Sequence, residues 1–198
     1  MRTYSPATAA LFASRAPFVG HLLVWFRARN RDTDAVETIG FWTGADHADF
    51  VIGSETRTYY GAGAMISMDP IQRETGLKVR TQRITFSQVS AELMQLLRGY
   101  DSAHAPVEVR RAMFDPDTDM LVDTPHIIIK GYVNTAKLPT PAKGETASIP
   151  IEVATAARAL TKPLSRFRSN ATLLARTPGD PFRRYATMTD AVEVKWGS

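Results

Sequence analysis

The stretch Phe18-Val19-Gly20-His21-Leu22-Leu23-Val24-Trp25-Phe26-Arg27-Ala28-Arg29 decides the fold. Leu22, Val24 and Phe26 alternate with Leu23, Trp25 and Arg27, so a period of two runs through it while both faces keep apolar content. The spacing predicts a strand. Upstream, Pro6–Ser14 reads as a short helix with Ser5 as N-cap and Pro6 at the first helical position, and Pro17 stops it. Downstream, Asn30–Asp34 reads as a polar turn.

The rest of the chain is punctuated at strand lengths. Glu37–Thr43 and Phe50–Ile52 read as a hairpin around Gly44–Asp49, and Thr56–Tyr60 as a strand closed by Gly61-Ala62-Gly63. Ala64–Ile71 and Leu77–Phe86 follow as strands, the second with better alternation. Val89, Leu93, Leu96 and Leu97 recur at helical spacing, with Ser87 or Ser90 suited to the cap and Gly99 to the end. This is the clearest helical pattern in the chain. Strands are then expected over Pro106–Phe114, Ile127–Val133 (with Gly131 as a bulge or twist point), Ile149–Val153 and Ala191–Trp196. Asp115-Pro116-Asp117 turns the chain between the first two. The fold class expected is mainly β, barrel- or sandwich-like, with one or two short helices.

A chain of 198 residues holds about one domain, or one domain with arms. Three segments suggest themselves: an N-terminal helical arm over 1–17, a strand-rich domain over 18–157, and a basic extended arm with a closing strand over 158–198. The formal net charge is +4. Residues 158–198 carry +5 and residues 1–157 carry −1, so the positive charge belongs to the C-terminal segment. Thr161–Pro181 is basic, poor in periodicity and interrupted by Pro163, Pro178, Gly179 and Pro181, and reads as a long loop or arm. A loop of that length is unusual inside a compact domain, and packing on another subunit is the simplest physical escape.

Several chemistries are excluded or poorly served. The chain has no cysteine, which removes disulfides, thiolate nucleophiles and cysteine metal sites. Arg2, Pro6, Ser14 and Arg15 break the N-terminal apolar pattern, so a signal peptide is not expected, and no run of about 18 apolar residues suggests a membrane span. Asp46, His47 and Asp49 form a compact cluster that could serve a hydrolase as a metal site or acid–base pair. Turn chemistry explains the same residues at a hairpin tip. Asp115, Asp117 and Asp119 imitate the start of a calcium loop, but Met120 stands where glycine is needed and His126 where a bidentate glutamate is needed. His21 and His104 are scattered, Ser54 and Ser67 lack a nucleophile elbow, and Gly61-Ala62-Gly63 has no lysine behind it to cradle phosphate. No cofactor or metal is therefore expected.

The basic segment raises two further readings. Arg166, Phe167 and Arg168, then Phe182, Arg183, Arg184 and Tyr185, interleave cations with aromatics, a composition usable for nucleic acid. Docking on an acidic neighbouring subunit fits the near-neutral body better. The candidate subunit-interface residues are Arg166, Arg168, Arg176, Asp180, Phe182, Arg183, Arg184 and Tyr185.

Several of these pieces resemble one family. Thr58-Tyr59-Tyr60-Gly61-Ala62-Gly63, the strand Gly76–Phe86, the helix Val89–Leu97 and the strand Ala105–Phe114 are similar in order to the hub and tail-tip proteins of long-tailed phages and gene transfer agents. Gly40-Phe41-Trp42-Thr43-Gly44-Ala45-Asp46-His47 resembles a stretch that precedes the strand pair in related hub proteins. The ending, Arg168-Ser169, Pro178-Gly179-Asp180-Pro181-Phe182, Tyr185 and Lys195-Trp196-Gly197, resembles the closing pattern of small phage tail proteins. The resemblance covers 37–197 in pieces. It departs from tail-tip proteins of the phage lambda kind in lacking the cysteines that hold an iron–sulfur cluster, so that cofactor is not implied.

The resemblance implies a β-barrel-like hub domain assembled as a ring around the tail lumen, in a virion tail put together in the host cytoplasm. The partners implied are copies of the same chain (a trimer favoured, a hexamer possible) and other tail proteins. DNA or a tape-measure protein would pass only in transit, and no membrane is involved. The leading expectation is thus a structural, non-enzymatic tail-tip protein. The alternatives are a hydrolase using Asp46, His47 and Asp49, and a nucleic-acid-binding module using the C-terminal arm.

Overall fold

The computed structural model describes residues 4–61, 65–71, 79–87, 90–140, 143, 148–158 and 169–185. The chain divides into two units, Met1–Leu160 and Thr161–Ser198. The first unit is mainly β, as the alternating patterns predict.

Its strands are β1 (Val19–Asn30), β2 (Val36–Trp42), β3 (Ala48–Ile52), β4 (Glu55–Tyr60), β5 (Met65–Met68), β6 (Thr81–Ser87), β7 (Tyr100–Asp101), β8 (Pro106–Phe114), β9 (His126–Ala136) and β10 (Ser148–Thr155). They form one sheet in the order β3-β4-β2-β1-β8-β9-β10-β6-β5, with β7 added beside β1. The long central strand β1 pairs antiparallel with β2 on one side and β8 on the other.

The sheet curls. Adjacent strands lie about 4.8 Å apart, so β2 and β6 would be separated by about 24 Å in a flat sheet. Instead Phe86 of β6 meets Phe41 of β2 at 5.3 Å and Phe26 of β1 at 6.2 Å between ring centroids. The concave side therefore closes on itself, barrel-fashion, around Val24, Phe26, Phe41, Ile84, Phe86, Val107, Val109, Val133, Ile149 and Ile151, all buried. The convex side of β1, β2 and β8 has a second core, in which Leu23, Trp42, Phe50, Ile52, Tyr59 and Ala112 are buried. The two cores explain why β1 is apolar on both faces: Val24 and Phe26 point to one, Leu23 to the other.

The helix expected over Val89–Leu97 with its end at Gly99 is helical over Ala91–Gly99, α-helical only in its first turn, and Val89 lies outside the described residues. Ser90 caps α2 (Ala91–Met94), its Oγ accepting from the Leu93 amide at 3.3 Å, and the chain widens at once into a π-turn, Gln95–Gly99. Leu93 and Leu96 are fully buried in the concave core, so the apolar spacing correctly marks the inward face. The widened turn brings Gly99 to β7, which feeds into the sheet beside β1.

Three expectations are corrected. The hairpin is formed by β3 and β4, not by Glu37–Thr43 with Phe50–Ile52; β2 runs parallel to β4, at Gly40–Tyr59 and Phe41–Tyr60. The tight turn is Gly53-Ser54, with Gly53 at φ 67 and Ile52 opposite Glu55, a two-residue hairpin loop of the Gly-first kind. Gly131 is a close-approach site: an added Cβ would lie 2.2 Å from the Ala154 carbonyl oxygen. The register shifts on either side of β9 fall elsewhere, at Val109/Arg110 of β8 and Glu152/Val153 of β10.

The third correction concerns the second unit, whose expected loop contains a helix, α3 (Asn170–Arg176). Ser169 caps it, its Oγ accepting from the Thr172 amide at 3.2 Å. Short polar caps of this kind start a helix without an apolar stripe, which is why periodicity did not reveal it. The described residues thus contain three short helices where one or two were expected. The closing strand expected over Ala191–Trp196 lies outside the described residues.

Candidate assembly surfaces

The N-terminal helix α1 (Pro6–Ser14) is pinned by a side chain far along the chain. Ser5 accepts from the Thr8 amide at 3.3 Å, and both Ser5 Oγ and Thr8 Oγ1 donate to Asp123 Oδ2, the second at 2.8 Å. These two donors hold the Asp123 carboxyl below the usual carboxylate range. Anchored this way, the helix leaves Tyr4, Phe12 and Phe18 in an edge-to-face chain at 5.3 and 6.3 Å, and all three remain exposed.

In the second unit, α3 is followed by a turn-rich segment. Asp180 Oδ1 accepts from the Phe182 amide at 3.0 Å, and the Arg184 amide donates to the Pro181 carbonyl at 2.9 Å. The fold of this turn displays its aromatics: Phe182 is 85% exposed and Tyr185 66%. The Arg184 guanidinium sits over the Tyr185 ring at 5.8 Å. Of the interface candidates, Arg176, Asp180, Phe182, Arg183, Arg184 and Tyr185 fall in α3 or this turn. Arg166 and Arg168 lie outside the described residues.

The Asp46-His47-Asp49 cluster is dispersed. Asp46 Oδ1 accepts from the His47 amide at 2.7 Å, and the Asp46 carbonyl accepts from Trp42 Nε1 at 2.6 Å. The His47 ring packs edge-on against Tyr60 at 5.0 Å, and Asp49 stands exposed on β3. Among the described residues no group of three histidine or acidic side chains is arranged to hold a metal ion. The Asp115–Asp119 segment is turn chemistry as well: Asp115 Oδ1 accepts from the Asp117 amide at 2.9 Å, and Asp119 takes a left-handed φ of 53.

A charged cluster that the sequence does not announce lies on the convex face of β8. Glu108 accepts from Arg57 and Arg110, both at 3.2 Å, and Lys130 stands 3.4 Å away. Burial works against the Glu108 charge, but Arg57, Arg110 and Lys130 outweigh it and hold the carboxyl below its usual range. Arg57 also covers the Trp25 ring at 5.1 Å. These partners come from three strands, so only the strand register could have revealed them. Glu55 adds a second carboxylate on Arg57 at 3.0 Å, so two acids face three cations.

One cleft of about 270 Å³ is lined by Arg31, Leu97, Arg98, Ser102, Val133 and Leu138, among others. Arg31 Nε is committed to the Tyr100 carbonyl at 2.9 Å. No helix among the described residues is long and apolar enough to cross a membrane.

No family model and no curated protein matches the chain. Among solved structures it is similar to a chain in the virion of a native gene transfer agent particle, with a TM-score of 0.55 and 14% identity. The match covers 83% of this chain and 49% of that one, so the chain spans about half the length of its structural neighbour. At that identity the likeness is one of fold.

Proposed function

We propose that the chain is a structural, non-enzymatic component of a phage-type virion, in the tail tip or baseplate hub, where copies assemble into a ring that joins the tail tube to tip proteins. The observation that carries this reading is the curled sheet shared, over 83% of the chain, with a chain of a gene transfer agent virion. The displayed aromatics of the second unit support it. Phe182 and Tyr185, flanked by Arg183 and Arg184, have the composition of interface anchors, in which aromatic side chains and arginine are enriched.

A ring closes by repeating one heterologous contact, and the turn around Phe182 is the proposed reaching element. Neighbouring tail proteins are the other partners, with DNA or a tape-measure protein passing in transit. The test is native mass measurement of the purified protein together with electron microscopy of particles. A ring-sized species located at the tail tip supports the reading. A stable monomer at high concentration that is absent from particles overturns it. Removing the His47 imidazole by His47→Ala is expected to leave the assembly unchanged.

A further inference from the structure

The cleft beside the π-turn, about 270 Å³ in volume, holds polar groups that the fold does not use. Ser102 lines it and is only 8% exposed, and its hydroxyl makes no hydrogen bond among the described residues. The oxygen is not sealed into the core either, so it is open to the cleft alone. The Ser102 carbonyl, by contrast, is committed: it accepts from the Ala105 amide at 3.2 Å. A nearly buried hydroxyl without a protein partner is costly, and its bond is left to a molecule in the cleft.

Two guanidiniums share this lining, and among the described residues no carboxylate does. Arg31 is tied down twice. Its amide donates to the Gly99 carbonyl at 2.9 Å and its Nε to the Tyr100 carbonyl at 2.9 Å. These bonds fix the planar fork and leave its terminal NH2 groups for a ligand. Arg98 comes from the π-turn, a widened geometry that recurs at functional sites, and has no acidic partner among the described residues. Asp101, the acid beside Ser102 in sequence, lines a different cleft with Arg27 and Arg29. Asn134, also on the lining, accepts from Arg158 and so holds a third cation against the site. The rest of the wall is largely apolar, with Leu97, Val133 and Leu138.

We infer that this cleft binds a carboxylate carried on a short aliphatic stem. Arg31 and Arg98 neutralise the carboxylate, whose two oxygens match the guanidinium fork, and the Ser102 hydroxyl donates to one of them. Leu97, Val133 and Leu138 cover the stem. The apolar wall decides against inorganic phosphate, which has no apolar surface to place there. The volume lies just under the usual range for drug-sized ligands, about 300–1,000 Å³, so it admits one small acid or one acidic side chain and excludes a nucleic-acid strand. The stem belongs to a free small acid or to a glutamate of another protein, and the recognising chemistry is the same. The inference does not rest on the virion reading and stands or falls separately from it.

The test uses the full chain and ligand-observed NMR, which a large assembly does not impair. Dissociation constants are measured for glutarate and for a capped Leu-Glu-Leu peptide, with inorganic phosphate as competitor. Saturable binding of either acid is expected; tighter glutarate assigns a free acid and tighter peptide a protein side chain. Arg98→Lys keeps the charge but loses the fork, and Ser102→Ala loses the hydroxyl; each is expected to weaken binding by about tenfold. Arg111→Ala, at an exposed arginine of β8 outside the cleft, is expected to leave it unchanged. Without ligand, Ser102→Ala should keep or raise the unfolding midpoint, because the hydroxyl it removes has no protein partner. No saturable binding of either acid overturns the inference. So does phosphate that competes at or below the glutarate concentration, or an Arg111→Ala loss equal to that of Arg98→Lys. A lowered midpoint for Ser102→Ala, with binding unchanged, gives the hydroxyl a structural role and overturns its place in the site.

Discussion

Phe86 and Phe41 meet edge to face at 5.3 Å although their strands are five steps apart along the sheet. The contact is a direct consequence of curling: each ring fills the concave space that the other strand leaves. Both are fully buried. Truncating either to alanine is expected to cost about 3–5 kcal/mol, because the surrounding sheet cannot collapse into the space. The double variant is expected to lose less than the sum of the two, since the second truncation enlarges a cavity already made. Urea denaturation of the four proteins checks both statements; strict additivity would mean that the two rings do not share a cavity and that the sheet is more open than described.

How much of this was legible before the structure? Most of the described strands were, because period-two alternation survives wherever one face is buried, as in Gln82, Ile84 and Phe86 of β6; the two-residue β7 is too short to show any period. Ser5 and Pro6 announced α1 through local cap chemistry that needs no tertiary partner. The β3–β4 pairing was misread because Gly44–Asp49 has more turn residues than Gly53-Ser54, and only the two-residue geometry favours the latter. Asp123 as the anchor of α1 and the Glu108 cluster were not legible, since each joins residues whose proximity depends on register. The candidate interface was legible as composition, but the helix α3 within it was hidden by the absence of an apolar stripe.

Gly131 tests the register from the opposite direction. An added Cβ would lie 2.2 Å from the Ala154 carbonyl oxygen, a backbone atom of the neighbouring strand that a rotamer change cannot move. Gly131→Ala is expected to destabilise by about 1–3 kcal/mol through overpacking. The measurement is the denaturant midpoint at unchanged slope. An unchanged midpoint would place β9 and β10 in a different register.

Tyr100 gives a pH signature. Its phenol donates to Glu37 Oε2 at 2.7 Å and accepts from Gln95 Nε2 at 3.0 Å. Burial and the adjacent Glu37 carboxylate push its pKa up to about 12. The folded value lies above the unfolded one, so the folded protein holds this proton more tightly. The resulting stability is complete below pH of about 10 and is lost as pH rises toward about 12. Burial also raises the Tyr59 phenol, so the wild type should retain a second alkaline contribution. Tyr100→Phe is expected to cost about 1 kcal/mol at neutral pH and to flatten the alkaline decline in part. Denaturation midpoints measured from pH 8 to 11, values chosen to span the onset of phenol titration, check it; parallel curves for the two proteins would remove Tyr100 from the titration.

The aromatics of the second unit separate assembly from folding. Phe182 and Tyr185 contribute little to a core in the isolated chain, being 85% and 66% exposed. Their replacement by alanine is therefore expected to change the stability of the folded chain by less than about 0.5 kcal/mol, as for ordinary surface positions. If they anchor a neighbouring subunit, each loss should weaken that contact by about 2 kcal/mol or more, roughly a thirtyfold rise in the dissociation constant. The contrast between the two readouts is what identifies an interface. Thermal unfolding and concentration-dependent native mass of Phe182→Ala and Tyr185→Ala supply both. Lowered stability with unchanged mass would assign the pair to folding, whereas unchanged stability with a smaller species assigns them to assembly. Tyr185→Phe adds a control: it keeps the ring beneath Arg184 and should retain the wild-type mass if the stacking surface, rather than the hydroxyl, makes the contact.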